Sequence, residues 1–290
     1  MSLKRIIVIA NPRAGKRASG NFDDAHRILS QCVETVCIKT EHPGHARELA
    51  AHHGKNSDTI IAVFGGDGTL NEAINGLPPS GILGLLPGGT ANVVARELGI
   101  PLDLREAAKT LLSGTIHKLD TGRVNDRRYL ITAGFGYDAH VAGRVPGFTK
   151  KLLGKYAYHL QAILDYPFYT PPRLTVTDDR GQRYTGEFAL IANMRRYGGD
   201  LFFADSAAFD DGLLDLILFR RFDPGSIIRG IRKAFARQGV PETVADHCRS
   251  HSFLLESDRP VPFQIDGETY PPLRTARVTI DPASLRMMAI

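Results

Sequence analysis

Three glycines surround one aspartate in Gly65-Gly66-Asp67-Gly68, between an apolar run, Thr59 to Phe64, and a stretch that reads as a helix. These residue types at a strand-to-helix junction suit a bound polyphosphate. Glycine lets a backbone approach a phosphate closely and tolerates positive φ, and a helix start offers unbonded N–H groups and a positive dipole end. A lone carboxylate would repel a phosphate, so Asp67 is predicted either to bind Mg2+ or to accept a hydrogen bond that orders the site. The plain alternative is a tight turn in which Asp67 only caps the helix. A second loop, Leu86-Pro87-Gly88-Gly89-Thr90-Ala91-Asn92, repeats the device after the apolar run Ile82 to Leu86. Two such loops on successive parallel strands would share the strand C-terminal edge, where open α/β sheets bind ligands. Thr69 and Thr90 could then donate to phosphate oxygens. The first apolar run, Lys4 to Ala10, ends in Asn11-Pro12-Arg13-Ala14-Gly15-Lys16. No Ser or Thr follows Lys16, so this is not a Walker A loop, although Arg13 and Lys16 could neutralise phosphate charge.

The elements that must position these loops alternate. Strands are predicted at Lys4 to Ala10, Val33 to Ile38, Thr59 to Phe64 and Ile82 to Leu86. Helices are predicted from Asn21 to Gln31, from Pro43 to His53 with Gly54 ending the helix, and from Thr90 to Leu98. That βαβα order implies a parallel sheet covered by helices. Near residue 120 the texture changes to closely spaced strands: Val124, Tyr129 to Ala133, Arg173 to Thr177, Tyr184 to Ala192, Leu213 to Phe219, Ser252 to Glu256 and Val261 to Ile265. They imply an antiparallel β domain, interrupted by helices near Lys151 to Asp165 and Pro224 to Gln238. Arg277 to Asp281 reads equally as a strand or as a return to the first domain.

Composition narrows the class. Among 290 residues, 36 Lys and Arg face 31 Asp and Glu, a net charge of +5. This is no nucleic-acid signature, and it suits a surface facing phosphates or anionic headgroups. Cys32, Cys37 and Cys248 form no CxxC pair, which argues against a disulfide framework and a zinc ribbon and for a reducing compartment. Cys32 and Cys37 read as small buried residues, and His247, Cys248 and His251 lack a fourth metal ligand. The first apolar run is too short for a signal peptide or a membrane span, and no later run reaches the length of a membrane span. A cytoplasmic chain is expected, and a lipid substrate would have to be met at the inner membrane surface. The stretch Gly225 to Gln238 places Ile227, Ile228, Ile231, Ala234 and Phe235 opposite Arg229, Arg232, Lys233 and Arg237. Such a helix can lie on an anionic membrane, but its apolar face is expected to pack on its own domain. Lys150, Lys151 and Lys155 with Leu152, Leu153, Tyr156 and Tyr158 are a second candidate for lipid contact.

Taken in order, Asn11-Pro12, Gly15-Lys16, Gly65 to Glu72 and Pro87 to Asn92 resemble the diacylglycerol kinase catalytic domain, shared with bacterial lipid kinases and sphingosine kinases. The likeness continues through Asp120-Thr121-Gly122, Gly134-Phe135-Gly136, Asn193, Gly198-Gly199, Asp211-Gly212-Leu213-Leu214 and Gln264-Ile265-Asp266-Gly267-Glu268. Gly65 to Thr69 alone is shared with NAD kinases. The resemblance implies a Rossmann-like α/β nucleotide-binding domain over 1–120 and a β-rich, antiparallel, sandwich-like acceptor domain over 121–275. Residues 276–290 would form a C-terminal segment that can return to the first domain, with ATP and acceptor taken between the domains. It implies ATP contacts from Asn11, Thr40, Gly65, Gly66, Asp67, Gly68, Thr69, Leu70, Asn71, Gly88, Gly89 and Thr90. It further implies a structural Mg2+ site at Asp211 with the carbonyls of Ala208 and Leu213, and Asp120 in the acidic network around the metal. The catalytic base would come from Asp266-Gly267-Glu268, with Glu268 favoured and Asp266 beside it. The plain alternative for that segment is a type I′ hairpin turn. The implied activity is transfer of the ATP γ-phosphate to a lipid hydroxyl, diacylglycerol-like first. The alternatives are a dinucleotide kinase and an inactive nucleotide- or lipid-binding regulator. No nucleic-acid partner is implied, and a homodimer stays open. Asp67→Asn and Glu268→Gln are expected to fold normally and lose phosphorylation. Val93, Asp200 and Phe203-Ala204-Asp205 depart from the family pattern, the last two on the acceptor side.

Overall fold

Arg5–Ala10 forms β1, and every residue of it but the first is buried, as a parallel strand covered on both faces must be. In the computed structural model, which describes residues 5–14, 21–56, 58–145, 156–199 and 201–289, β1 is flanked in parallel by β2 (Glu34–Lys39) and β3 (Thr59–Gly65). β4 (Ile82–Pro87) runs parallel to β3. Helix α1 (Phe22–Cys32) begins where the Asn21 side chain accepts from the Asp23 N–H, and it buries Ala25 and Leu29 one turn apart. Helix α2 (His45–His53) starts later than predicted, after Gly44 in the left-handed region at φ 87°. It packs on α3 (Asp67–Gly76), while α1 packs on α5 (Leu104–Ser113). The helix predicted from Thr90 is shorter: α4 covers Val93–Glu97, because Asn92 turns left-handed at φ 48° and leaves Thr90 to Asn92 as a loop.

The chain divides into two compact units, Met1–Asp120 with Ala283–Ile290, and Thr121–Pro282. Arg277 to Asp281 lies in the long strand β16 (Glu268–Ala289), within the second unit. The end of that strand completes the first unit's sheet, with Arg286 and Met287 pairing in parallel with Ile82 and Leu83.

In the second unit the strand order is β14 (Ala245–Ser250), β13 (Leu214–Phe219), β10 (Phe188–Ala192), β7 (Thr132–Phe135), β15 (Ser252–Ile265) and β16, with antiparallel neighbours. The runs Ser252 to Glu256 and Val261 to Ile265 are one strand, not two. Its pairing with β16 is irregular between Glu256 and Val261. The first half of β15 pairs with β8 (Leu174–Asp178) and the second half with β7. One bent strand serving two layers is how a sandwich turns a corner, and the fold is sandwich-like. Phe135, Val176, Leu216, Phe253 and Leu255 are among its core residues. The run Tyr184 to Ala192 splits into β9 (Arg183–Gly186) and β10 around Glu187, whose carboxylate accepts the Phe222 N–H. Helices α6 (Tyr137–Arg144), α7 (Tyr156–Asp165) and α8 (Pro224–Phe235) complete the unit. Cys32 is exposed and Cys37 only half-buried, contrary to the buried expectation, and all three cysteines are free. Among the described residues no helix is long and apolar enough to cross a membrane.

Candidate active site

The parallel register brings four predicted loops to one edge of the first unit. Ala10 is level with Phe64 and with Lys39, and Gly65 is level with Pro87. The strands therefore deliver Asn11, Thr40, Gly66 and Gly88 side by side at their C-terminal ends. Thr40 is tied in by its N–H to Ala10 O at 2.9 Å, and Gly88 by its N–H to Gly65 O at 2.8 Å. The two glycine loops touch. A Cβ on Gly89 would lie 2.5 Å from Gly66 Cα, and one on Gly66 would lie 3.1 Å from Gly89 Cα. A Cβ on Gly88 would press on the Phe64 ring at 2.8 Å. None of Gly65, Gly66, Gly68, Gly88 and Gly89 has positive φ, so closeness of the loops, not left-handed backbone, requires glycine here.

Asp67 joins the loops. Its carboxylate accepts the Val93 and Val94 N–H groups, each at 3.2 Å, across 26 and 27 residues of chain. This is the ordering role. Asp67 does not cap its own helix, whose N-cap is Gly66. Burial pushes its carboxyl pKa upward, opposed by those backbone bonds. Asn92 closes the second loop, accepting the Gly89 N–H at 2.9 Å and donating to Gly89 O at 3.1 Å. Asn11 Nδ2 donates to Thr69 Oγ1 at 2.9 Å. The Thr69 hydroxyl accepts there, which leaves its hydrogen for another acceptor. Asp67, Gly68 and Thr69 form the first turn of α3, where N–H groups have no partner inside the helix. Thr90 is exposed on its loop. Leu70 is 1 % exposed and its N–H is bonded to Gly66 O, so it belongs to the core. Asn71 is buried and accepts from Asn75 Nδ2 at 3.1 Å. Gly15 and Lys16 lie outside the described residues, as do Lys150, Lys151, Lys155, Leu152, Leu153 and Asp200, and nothing is described of the Tyr156 and Tyr158 side chains.

A second constellation forms within the other unit. Asp266 and Gly267, at φ 49° and 87°, make the turn of the hairpin that pairs Ile265 with Glu268. The Asp266 carboxylate accepts three successive N–H groups: Leu130 and Ile131 at 2.9 Å and Thr132 at 3.0 Å. Asn193 holds the same segment from its carbonyls, donating Nδ2 to Leu130 O and N–H to Ile131 O, both at 2.9 Å. Gln264, 2 % exposed, accepts the Gly267 N–H at 2.6 Å and donates to Asp138 Oδ2 at 2.9 Å. Asp266 is thus committed to the backbone, while Glu268 is half-buried with Tyr270 OH 3.4 Å from Oε2.

Asp138, which the sequence pattern passed over, joins this hydrogen-bond network through Gln264. It receives Gln264, Tyr197 OH at 3.0 Å and its neighbour's N–H, and burial pushes its pKa up to about 6. A Cβ on Gly134 would collide with its carboxylate. The signal was present: Gly134-Phe135-Gly136 leading into an Asp repeats the glycine-and-aspartate junction of Gly65 to Asp67.

Asp211, expected to hold a structural Mg2+, stands in a hydrogen-bonded ion pair. One Asp211 oxygen accepts the Leu213 N–H at 3.0 Å, and the other pairs with the Arg249 guanidinium. Arg249 Nε also lies 3.4 Å from Asp215, which the Ser206 hydroxyl bonds. Arg249 and Asp215 face each other across β13 and β14. Both Asp211 oxygens are thus engaged by protein donors, the Leu213 N–H and the Arg249 guanidinium. Asp120, 2 % exposed, accepts the Ala283 N–H at 2.6 Å and pins the returning strand. Among the described residues, the one group with metal-ligating spacing is His42, His45 and Glu48, and His45 Nδ1 already accepts the Glu41 N–H. His247, Cys248 and His251 do not converge, since His251 pairs with Asp179 and Cys248 with Asp178.

Comparison with known proteins bears on this arrangement. Residues 5–124 match the model of the diacylglycerol kinase catalytic domain. Residues 132–289 match that of the YegS C-terminal NAD kinase beta sandwich-like domain. A diacylglycerol kinase of Staphylococcus aureus is 32% identical over 275 residues, covering 91% of this chain and 86% of the relative.

The chain belongs to the diacylglycerol kinase family.

Membership assigns it to the kinases. A diacylglycerol kinase of Bacillus subtilis is 28% identical over 274 residues, covering 92% of this chain and 90% of the relative. A Bacillus anthracis chain solved as a candidate diacylglycerol kinase superposes with a TM-score of 0.82 at 24% identity, over 100% of this chain and 98% of the other. An NAD kinase from Archaeoglobus fulgidus, solved with ATP, shares the fold at a TM-score of 0.53 and 12% identity, over 98% and 93% of the two chains.

Proposed function

We propose that this kinase transfers the γ-phosphate of ATP to the hydroxyl of a diacylglycerol-like lipid at a membrane surface. The reading is carried by the touching glycine loops at Gly66 and Gly89 on the strand C-terminal edge. Two strand ends are held together there without side chains in the way, as a bound triphosphate needs. The first-turn N–H groups of Asp67, Gly68 and Thr69 would face its oxygens, and one such donor is typically worth about 10²- to 10³-fold in rate. Asn11 orients the Thr69 hydroxyl so that its hydrogen points away from Asn11, toward a phosphate oxygen. The Asp67 carboxylate keeps lone pairs beyond those used by Val93 and Val94, which suits Mg2+ held directly or through water. Bound there, the ion would neutralise charge on the phosphates. Glu268 accepts the proton of the acceptor hydroxyl, a role worth roughly 10²- to 10⁴-fold. Asp266, Gln264 and Asn193 hold Glu268's turn, and Asp266 is a positioning residue, not the base.

The test is to incubate the protein with labelled ATP, Mg2+, a mixed lipid panel and NAD, and to identify the product. Label in a glycerolipid is expected. Label in NAD alone would transfer the assignment to the dinucleotide kinases, whose fold the chain shares, and no labelled product would sink the kinase chemistry.

A further inference from the structure

Helix α8 packs only part of its expected apolar face inward. At about 100° per residue, Ser226, Gly230 and Ala234 share one face, and these are its buried residues. Gly230 is needed there, since a Cβ would lie 3.1 Å from the Phe219 ring. Ile227 also packs inward, against the cluster of Phe188, Phe219 and Phe222. The large apolar residues beside that face point outward: Ile228 is 57% exposed, Phe235 58% and Ile231 37%. Their spacing of three and four residues makes one continuous stripe. The next sector carries Arg232, Arg229 and Lys233, all exposed. No Asp or Glu occurs from 224 to 238.

We infer that this face of α8 docks the protein onto a bilayer containing anionic lipid. Small residues and Ile227 already fasten the helix to its own unit, and the stripe leaves apolar area exposed to water. Exposed, contiguous apolar area bordered by polar residues marks an interaction surface. The occupant is identified by charge: an interfacial helix sinks its apolar stripe to the headgroup boundary while flanking Arg and Lys meet lipid phosphates. A second copy of the chain would bring the same cations against each other. The inference deepens the proposed function and rests on the acceptor being a lipid.

The experiment is flotation with phosphatidylcholine vesicles, with and without phosphatidylglycerol, in the absence of nucleotide. Wild type is expected to float with the anionic vesicles and to be released by high salt. Ile228→Ser with Phe235→Ser, and separately Arg229→Gln with Arg232→Gln and Lys233→Gln, should each weaken binding by at least about tenfold at unchanged melting temperature. Turnover on a detergent-dispersed acceptor should stay at wild-type level in both. Wild type that fails to float, variants that float equally well, or a dimer that Phe235→Ser dissociates without change in flotation would each overturn docking through α8. Vesicle binding through this face without phosphorylation of any lipid would instead sink the proposed acceptor and leave the docking intact.

Discussion

Asp67 and Glu268 are both acidic, and their surroundings separate their roles. Asp67 holds two amides of a distant loop, so Asp67→Asn places an NH2 against an N–H. The variant should lose about 1–2 kcal/mol of stability as well as activity, as lost helix caps do. A melting temperature equal to wild type would contradict the clamp. The Glu268 carboxylate accepts the Tyr270 hydroxyl, and Gln accepts the same bond. Glu268→Gln should therefore unfold within about 0.5 kcal/mol of wild type while turnover falls roughly 10²- to 10⁴-fold. Wild-type turnover would remove Glu268 from the chemistry. Arg249 supplies the cation at Asp211. Without nucleotide, neither Mg2+ nor a chelator should shift the melting temperature, and Arg249→Ala should lose about 1–3 kcal/mol by leaving Asp215 buried without its partner. A melting temperature raised by Mg2+ in wild type but not in Asp211→Asn would restore a metal to this position.

Among the elements, the two loops of the first unit behave as one piece. Backbone faces backbone at Gly66 and Gly89, and neither side can yield by a rotamer change. Gly89→Ala must push the loops apart and turn the first N–H groups of α3 away from a common ligand. Nucleotide titration should show affinity reduced at least about tenfold in a chain that still folds, since the strands below are unaffected. Unchanged affinity would mean that the contact does not shape the site. The hairpin of β15 and β16 shows the same economy. Its turn is fixed by Asp266 on the 130–132 segment and by Gln264 on Gly267, so Glu268 is presented by backbone that has little freedom.

For the whole molecule, Asp138 sets a pH dependence. Its folded pKa is raised to about 6 by burial, so the folded state binds more protons than the unfolded chain between the ordinary carboxylate range and that value. Stability falls as pH rises through this window, and the penalty persists above it. Asp138→Asn lacks the titrating group. Its unfolding free energy relative to wild type should rise from about pH 4 to about pH 6 and level off. A difference that is flat with pH would show that Asp138 is not held in this state.

The α/β and β-rich halves, the glycine loops and the short list of carboxylates were legible in the amino-acid order. Alternation of apolar runs with turn residues, and glycine where backbones meet, are local signals. Tertiary structure decided what each carboxylate does. Asp266 is spent on three amides contributed from 134 to 136 residues away in the chain, Asp211 on an arginine of another strand, and Asp138 is buried by groups from two other elements. It also decided which side of α8 faces water, because periodicity measures how apolar residues are spaced and not what stands opposite them. A hydrogen-bond partner brought from a distant strand leaves no trace in local spacing, and for that reason the roles became readable only in the folded chain.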